Sequence, residues 1–184
     1  MRLPNLVRAA GGALLLALLS GCAPSDASTP PEPIATFVAP YATDEEALAA
    51  AEEAYAEYVR VSAEILLEGG ADPERLGDVV VGEFLESSIV GLRKFAEEGK
   101  TQTGTSIVGN AELQRYSPTS GPRELITIYV CRNISAVDVL DSSGKSIVTS
   151  ERDDSSIMQV TFDYNEPRDA LLVSDQQLWS KGKC

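Results

Sequence analysis

The hydrophobic positions of this chain change period once. From Leu48 to Phe95 apolar residues recur at intervals of three and four, as along one face of a helix; after Gly99 they alternate, as in half-buried strands. Leu48, Ala51, Tyr55, Tyr58, Ser62 and Ile65 make the first stripe. Thr43-Asp44-Glu45-Glu46 predicts its start, because a threonine oxygen there accepts the free backbone N–H three residues on and the acids sit where the helix dipole favours negative charge. Gly69-Gly70 predicts its end. Asp72-Pro73 is a second start signal, aspartate as the cap and proline in the first turn. Leu76, Val79, Val80, Phe84, Leu85, Ile89, Leu92 and Phe95 carry helix onward to Gly99, with a break expected near Gly82.

Six strand-like segments follow: Thr103 to Tyr116, Glu124 to Cys131, Ala136 to Leu140, Ser146 to Ser150, Ser155 to Tyr164 and Ala170 to Trp179. Turn clusters at Ser117-Pro118, Asn133, Asp141-Ser142-Ser143-Gly144 and Asn165-Glu166-Pro167 separate them. Leu125 to Val130 is apolar at nearly every position, which marks a central strand. Helices followed by a meander of strands predict an α+β fold, the N-terminal helices packed on one face of a curved antiparallel sheet.

The N-terminus has a different pattern. Arg2 and Arg8 precede an uncharged run from Ala9 to Leu19. That run is about eleven residues, whereas a helix needs roughly twenty to span a bilayer, so it reads as the apolar core of a secretion signal. The tetrad Leu19-Ser20-Gly21-Cys22 that follows resembles the lipobox of bacterial lipoproteins. The resemblance implies that residues 1–21 are removed and that Cys22 carries a diacylglyceryl group, with palmitate-type acyl chains, on the extracytoplasmic face of the cell membrane. One acyl chain holds a protein only marginally and two hold it stably, each buried methylene contributing about 0.8 kcal/mol. Residues 22–42, with Pro24, Pro30, Pro33 and Pro40 among serines, threonines and alanines, read as a flexible lipidated tether. Residues 43–184 are then one domain, long enough to bury its own core.

Charge and cysteine count narrow the partners. The chain has 28 acidic and 15 basic residues, and loss of Arg2 and Arg8 with the signal takes its net charge from −13 to −15. So negative a domain is repelled by phosphate backbones and anionic headgroups, which argues against nucleic acid and leaves the lipid as the membrane attachment. With Cys22 committed to lipid, Cys131 and Cys184 remain as an even pair in an oxidising compartment, and a Cys131–Cys184 disulfide is expected over two separate thiols. Closing a loop of about fifty residues contributes on the order of 4 kcal/mol in the chain-entropy model.

The layout of a long helix, a second helical region, Thr103-Gly104 opening a long strand, Cys131-Arg132-Asn133, the Asp141-to-Gly144 hairpin and a Trp179 strand ending in Cys184 resembles actinobacterial lipoproteins with an NTF2-like (SnoaL-like) domain. The resemblance implies a cystatin/NTF2-like cone over residues 43–184, a sheet wrapped around helices and open at one end onto an apolar pocket. Such families include ketosteroid isomerases and polyketide cyclases as well as binding and assembly modules. This chain has Asn133 where the family usually shows aspartate.

The residues favour binding over catalysis. The chain contains no histidine, which excludes triads built on histidine and histidine-ligated zinc. Isomerase chemistry of the ketosteroid type needs only a carboxylate base, a tyrosine and an apolar cavity. Tyr55, Tyr58, Tyr129 and Trp179 are the candidate pocket residues, with Asp138 and Asp163 as candidate bases; tyrosines and tryptophan at these spacings are also ordinary packing residues. Glu151-Arg152-Asp153-Asp154 and the pair Asp138 and Asp141 lack the alternating oxygen ligands of a calcium loop and read as solvated turns. Asn133-Ile134-Ser135 fits a glycan acceptor pattern that a bacterial lipoprotein has no reason to use. The expectation is therefore a non-catalytic module of the cell envelope, without a cofactor, that binds an apolar small ligand, an envelope protein or a second copy of itself; a ketosteroid-isomerase- or cyclase-like enzyme is the alternative.

Overall fold

The computed structural model describes Phe37 to Gly182 and Cys184. The secretion signal, Cys22 and the tether up to residue 36 lie outside these residues. Among the described residues no helix is long and apolar enough to cross a membrane.

Helix α1 (Asp44–Leu67) starts where the sequence places it. Thr43 Oγ1 accepts the Glu46 N–H at 3.2 Å, and the Glu46 carboxylate accepts the Ala42 N–H at 2.8 Å. At the other end the Gly70 N–H donates to the Ile65 carbonyl at 2.8 Å, with Gly69 and Gly70 at φ of 72° and 83°, a conformation open to glycine. A side chain at Gly70 would lie 2.7 Å from the Leu92 carbonyl, so the glycine also admits the next helix.

The second helical region is interrupted. A 3₁₀ turn (Pro73–Asp78) leads to helix α2 (Gly82–Glu97). Between them Val80 bridges Val173 in parallel: the Val173 N–H donates to the Val79 carbonyl at 2.9 Å and the Val81 N–H donates to the Val173 carbonyl at 3.0 Å. Three successive β-branched residues prefer the sheet edge to a helix, and this breaks the helix just ahead of Gly82.

Strands β1 (Thr101–Thr103), β2 (Ile107–Tyr116), β3 (Ile126–Asn133), β4 (Asp138–Leu140), β5 (Ser155–Asn165) and β6 (Ala170–Lys181) complete the domain. A four-stranded antiparallel sheet runs β2-β3-β5-β6, and β1 pairs with β4 in a small second sheet. The strand expected from Thr103 to Tyr116 is thus two strands, parted at Gly104, where a Cβ would sit 1.8 Å from the Ala136 carbonyl oxygen. The strand expected from Ser146 to Ser150 does not form. Ser146 makes one bridge to Leu140 and its hydroxyl donates to Asp138, while Ile147 is 45% exposed, so the segment has no apolar face to bury.

The helices cover one face of the sheet, giving the expected α+β architecture of N-terminal helices on a curved antiparallel sheet. Ala47, Ala51, Tyr55 and Ile65 from α1 meet Ile126, Ile128, Val160, Phe162 and Val173 in one buried cluster. Ahead of α1 the chain is strapped down earlier than residue 43. The Tyr116 hydroxyl donates to the Tyr41 carbonyl at 2.6 Å, Tyr41 packs on Tyr116 and Phe37 packs on Tyr164 at 6.0 Å. The last residues assigned to the tether therefore belong to the domain, because their aromatic rings find partners on it.

Candidate functional site

Strand alternation sends every second side chain of the sheet away from the helices. The register aligns these into three complete rows: two polar ones, Arg115, Thr127, Thr161 and Asp175 in the first and Glu112, Tyr129, Gln159 and Gln177 in the next, and a third of Gly109, Cys131, Ile157 and Ser180. Where the first row and its neighbours meet the loops after β2 and before α2, the face holds an open groove of about 980 Å³. Its floor is formed by the buried hydroxyls of Thr127 and Thr161, 3.3 Å apart. Arg115 donates to Glu124 at 3.1 Å and to Thr127 Oγ1 at 3.4 Å, so its guanidinium is held along one wall. Asp163, also on this face, accepts the Glu124 N–H at 2.8 Å, and Glu124 takes the left-handed φ of 47° that aims its N–H at that carboxylate.

The far end of the same face is aromatic. Trp179 packs on Tyr129 with ring centroids 4.9 Å apart and remains 60% exposed. Beside the pair, Cys184 is bonded to Cys131 of β3, with Cα atoms 5.7 Å apart and a sequence separation of 53, as expected from the cysteine count. A smaller cleft of about 480 Å³ lies between this disulfide, Tyr129 and the β2 bulge at Asn110.

The four aromatic residues expected to line one pocket are therefore divided between the two faces. Tyr55 is 1% exposed on the helix side, where its hydroxyl donates to Gln176 Oε1 at 3.1 Å and Tyr58 stacks beside it at 5.7 Å. Burial pushes the Tyr55 phenol well above its ordinary pKa, with Arg132 opposing, and burial raises Tyr58 in the same way. Tyr55 is part of the packed interior, and Tyr58 packs against it at the edge of a cleft of about 240 Å³ between α1 and α2. Tyr129 and Trp179 lie on the opposite side of the sheet.

Each of the two candidate bases is held by backbone or hydroxyl donors, and Asp163 shares the outer face with Tyr129. Asp138 Oδ1 accepts the Val139 N–H and the Ser146 hydroxyl at 2.8 and 2.7 Å, which closes the β4 turn. Asp163 holds the Glu124 backbone on the outer face. Neither bonds a tyrosine. The remaining acids also have local work: Asp141 accepts from Ser143 and Lys145 in its own turn, and these bonds, the Ser143 hydroxyl first, hold its carboxyl below the usual range. Arg152 pairs with Asp154 and donates to the Ile134 and Val137 carbonyls. Asn133 accepts from the Ser135 N–H and hydroxyl in a side-chain turn. Tyr164 is pushed up to about 12, first by its hydrogen bond to Asp169.

Sequence reasoning passed over Arg115, Gln159, Asp175 and Gln177. A signal was present: Gln159-x-Thr161-x-Asp163 and Asp175-x-Gln177-x-Trp179 place polar or aromatic residues at every second position of two expected strands, which defines an uncovered face.

No protein-family model matches the sequence, and no curated protein is similar to it. One solved structure shares the architecture. The crystal structure of the intermembrane space region of the chloroplast protein ARC6 superposes with a TM-score of 0.52 at 11% identity, covering 72% of this chain and 96% of that one. A de novo designed β-sheet protein overlaps more loosely, with a TM-score of 0.31 at 15% identity over 71% of this chain and 88% of that one. At these identities the first likeness defines the fold alone.

Proposed function

We propose that this chain is a lipid-anchored module of the cell envelope, held at the extracytoplasmic face of the membrane through Cys22, that binds through the uncovered face of its sheet and catalyses no reaction. The observation that carries this reading is the division between the faces. Tyr55 and Tyr58 are used as packing on one side, and the open groove, with Asp163 on its wall, is on the other. An isomerase would need a carboxylate and a tyrosine converging on one substrate in an apolar cavity; here the sheet stands between Asp163 and the buried Tyr55 with its neighbour Tyr58, and the groove on the face that Asp163 shares with Tyr129 is open to solvent. The element order and the disulfide support relation to NTF2-like lipoproteins, and the lipobox-like tetrad supports the anchor.

Two experiments test the two halves. Growth with an alkyne-labelled palmitate is expected to label the wild-type chain and not Cys22→Ala, with the variant released from the membrane fraction; labelling of both would refute the anchor. Photo-crosslinkers placed at Gln177 on the sheet face and at Glu86 on α2, in living cells, are expected to give an adduct from Gln177 alone. Adducts from neither position, or from both alike, would refute the binding face.

A further inference from the structure

We infer that the ligand of the uncovered sheet face is an uncharged polysaccharide, stacked on Trp179 and hydrogen-bonded along the two polar rows. This deepens, and rests on, the reading of that face as a binding surface.

Three features of the face specify the ligand. The first is the side-chain chemistry of the rows. From Thr127 and Tyr129 across to Asp175 and Gln177 they hold hydroxyl, amide, carboxylate and phenol groups and no aliphatic side chain. An amide presents two donors and an acceptor and a carboxylate accepts twice, a set that matches neighbouring hydroxyl groups. A protein partner would call for a dehydrated apolar centre, which these rows lack. An apolar small ligand would call for an enclosed cavity, and this groove is open and polar.

The second feature is the aromatic platform. Tyr129 supports Trp179 from one side at 4.9 Å, and the 60% exposure of Trp179 leaves indole surface free. A pyranose ring has an apolar C–H face that lies against an aromatic ring, the electron-rich surface meeting the polarised C–H groups. Trp179 is two residues from Gln177, and two strands lie between Glu112 and Gln177, so a ring stacked on the indole is carried straight onto the polar rows. The rows span three interstrand spacings, roughly 14 Å, the length of a short oligosaccharide.

The third feature is charge. At −13 over the whole chain the protein repels nucleic acids and acidic polymers, which leaves neutral chains among the polysaccharides. Of the two arginines at the groove, Arg115 is paired with Glu124, and Arg123 shares the rim with four carboxylates, Glu83, Glu124, Asp163 and Asp175. The platform lies at the β6 end that carries the disulfide, whereas Phe37 and Tyr41, where the chain enters the domain, pack on Tyr164 and Tyr116 at the other end of their strands. The platform is thus at the end of the sheet opposite Phe37 and Tyr41.

The protein reports on this site by itself, because Trp179 is its only tryptophan. The full lipidated chain, purified in detergent, is titrated with a β-glucan, an arabinogalactan and a mannan, all uncharged, and with alginate as the acidic control. Saturable change in tryptophan emission with at least one neutral polymer and none with alginate is expected. Gln177→Ala and Asp175→Asn, exposed positions that keep the reporter, are expected to weaken that binding at least tenfold. In native gels containing the same polymer, Trp179→Ala is expected to lose its retardation and Trp179→Phe to keep part of it. No response to any of the three, or retardation unchanged in Trp179→Ala, would overturn the inference. Because anchoring and crosslinking are read by other means, adducts at Gln177 without a polysaccharide response would overturn the ligand and leave the binding face standing.

Discussion

On strand β3, Ile126, Ile128 and Val130 point at the helices and are buried, while Thr127 and Tyr129, one position along, point the other way. On β5, Val160 and Phe162 alternate with Gln159 and Thr161 in the same manner. One set of strands thus builds two surfaces. The helix side is closed by aliphatic and aromatic packing, and the buried Tyr55 hydroxyl is matched within the chain by Gln176. The other side has hydroxyl, amide and carboxylate groups held in register and an indole left open to solvent. A period of two, read along a strand, is therefore enough to separate residues that hold the fold from residues free to bind.

That division sets the expected effect of substitutions. Phe162→Ala, on the helix side, removes a fully buried ring and is expected to cost about 4 kcal/mol in urea unfolding. Cys131→Ser opens the loop to Cys184 and is expected to cost about 4 kcal/mol, with wild type under reductant behaving alike. Tyr55→Phe removes one hydroxyl and its bond to Gln176, for about 1 kcal/mol. The raised Tyr55 phenol also gives a sign for pH: the protonated form is favoured by folding, so its contribution is complete below the ordinary tyrosine pKa of about 10 and is lost as pH rises above it. Alkaline unfolding midpoints are expected to move less with pH in Tyr55→Phe than in wild type. Trp179→Ala and Gln177→Ala, on the open side, are expected to stay within about 0.5 kcal/mol of wild type. A loss above 2 kcal/mol at Trp179 would mean that the two surfaces are not separate.

Much of the fold was legible in the residues, because it rests on local signals. Thr43 with Glu46, Gly69-Gly70 and the change of period after Gly99 each act over a few positions. The disulfide followed from counting. What was not legible depends on long-range pairing: Val79 to Val81 read as helix until β6 supplied an edge for them, and Ser146 to Ser150 read as strand although nothing apolar receives it. The site failed for the same reason. Tyr55, Tyr58, Tyr129 and Trp179 were grouped by residue type, and only the register of β3 against β5 and β6 shows that the last two face away from the first two.

The most direct test is hydroxyl-radical footprinting of the full chain, compared between intact cell envelopes and detergent solution. Oxidation of Trp179 and Tyr129 is expected to fall several-fold in the envelope, while that of the exposed Val90 on α2 stays the same. Equal labelling of Trp179 in both settings would contradict a binding role for the uncovered face.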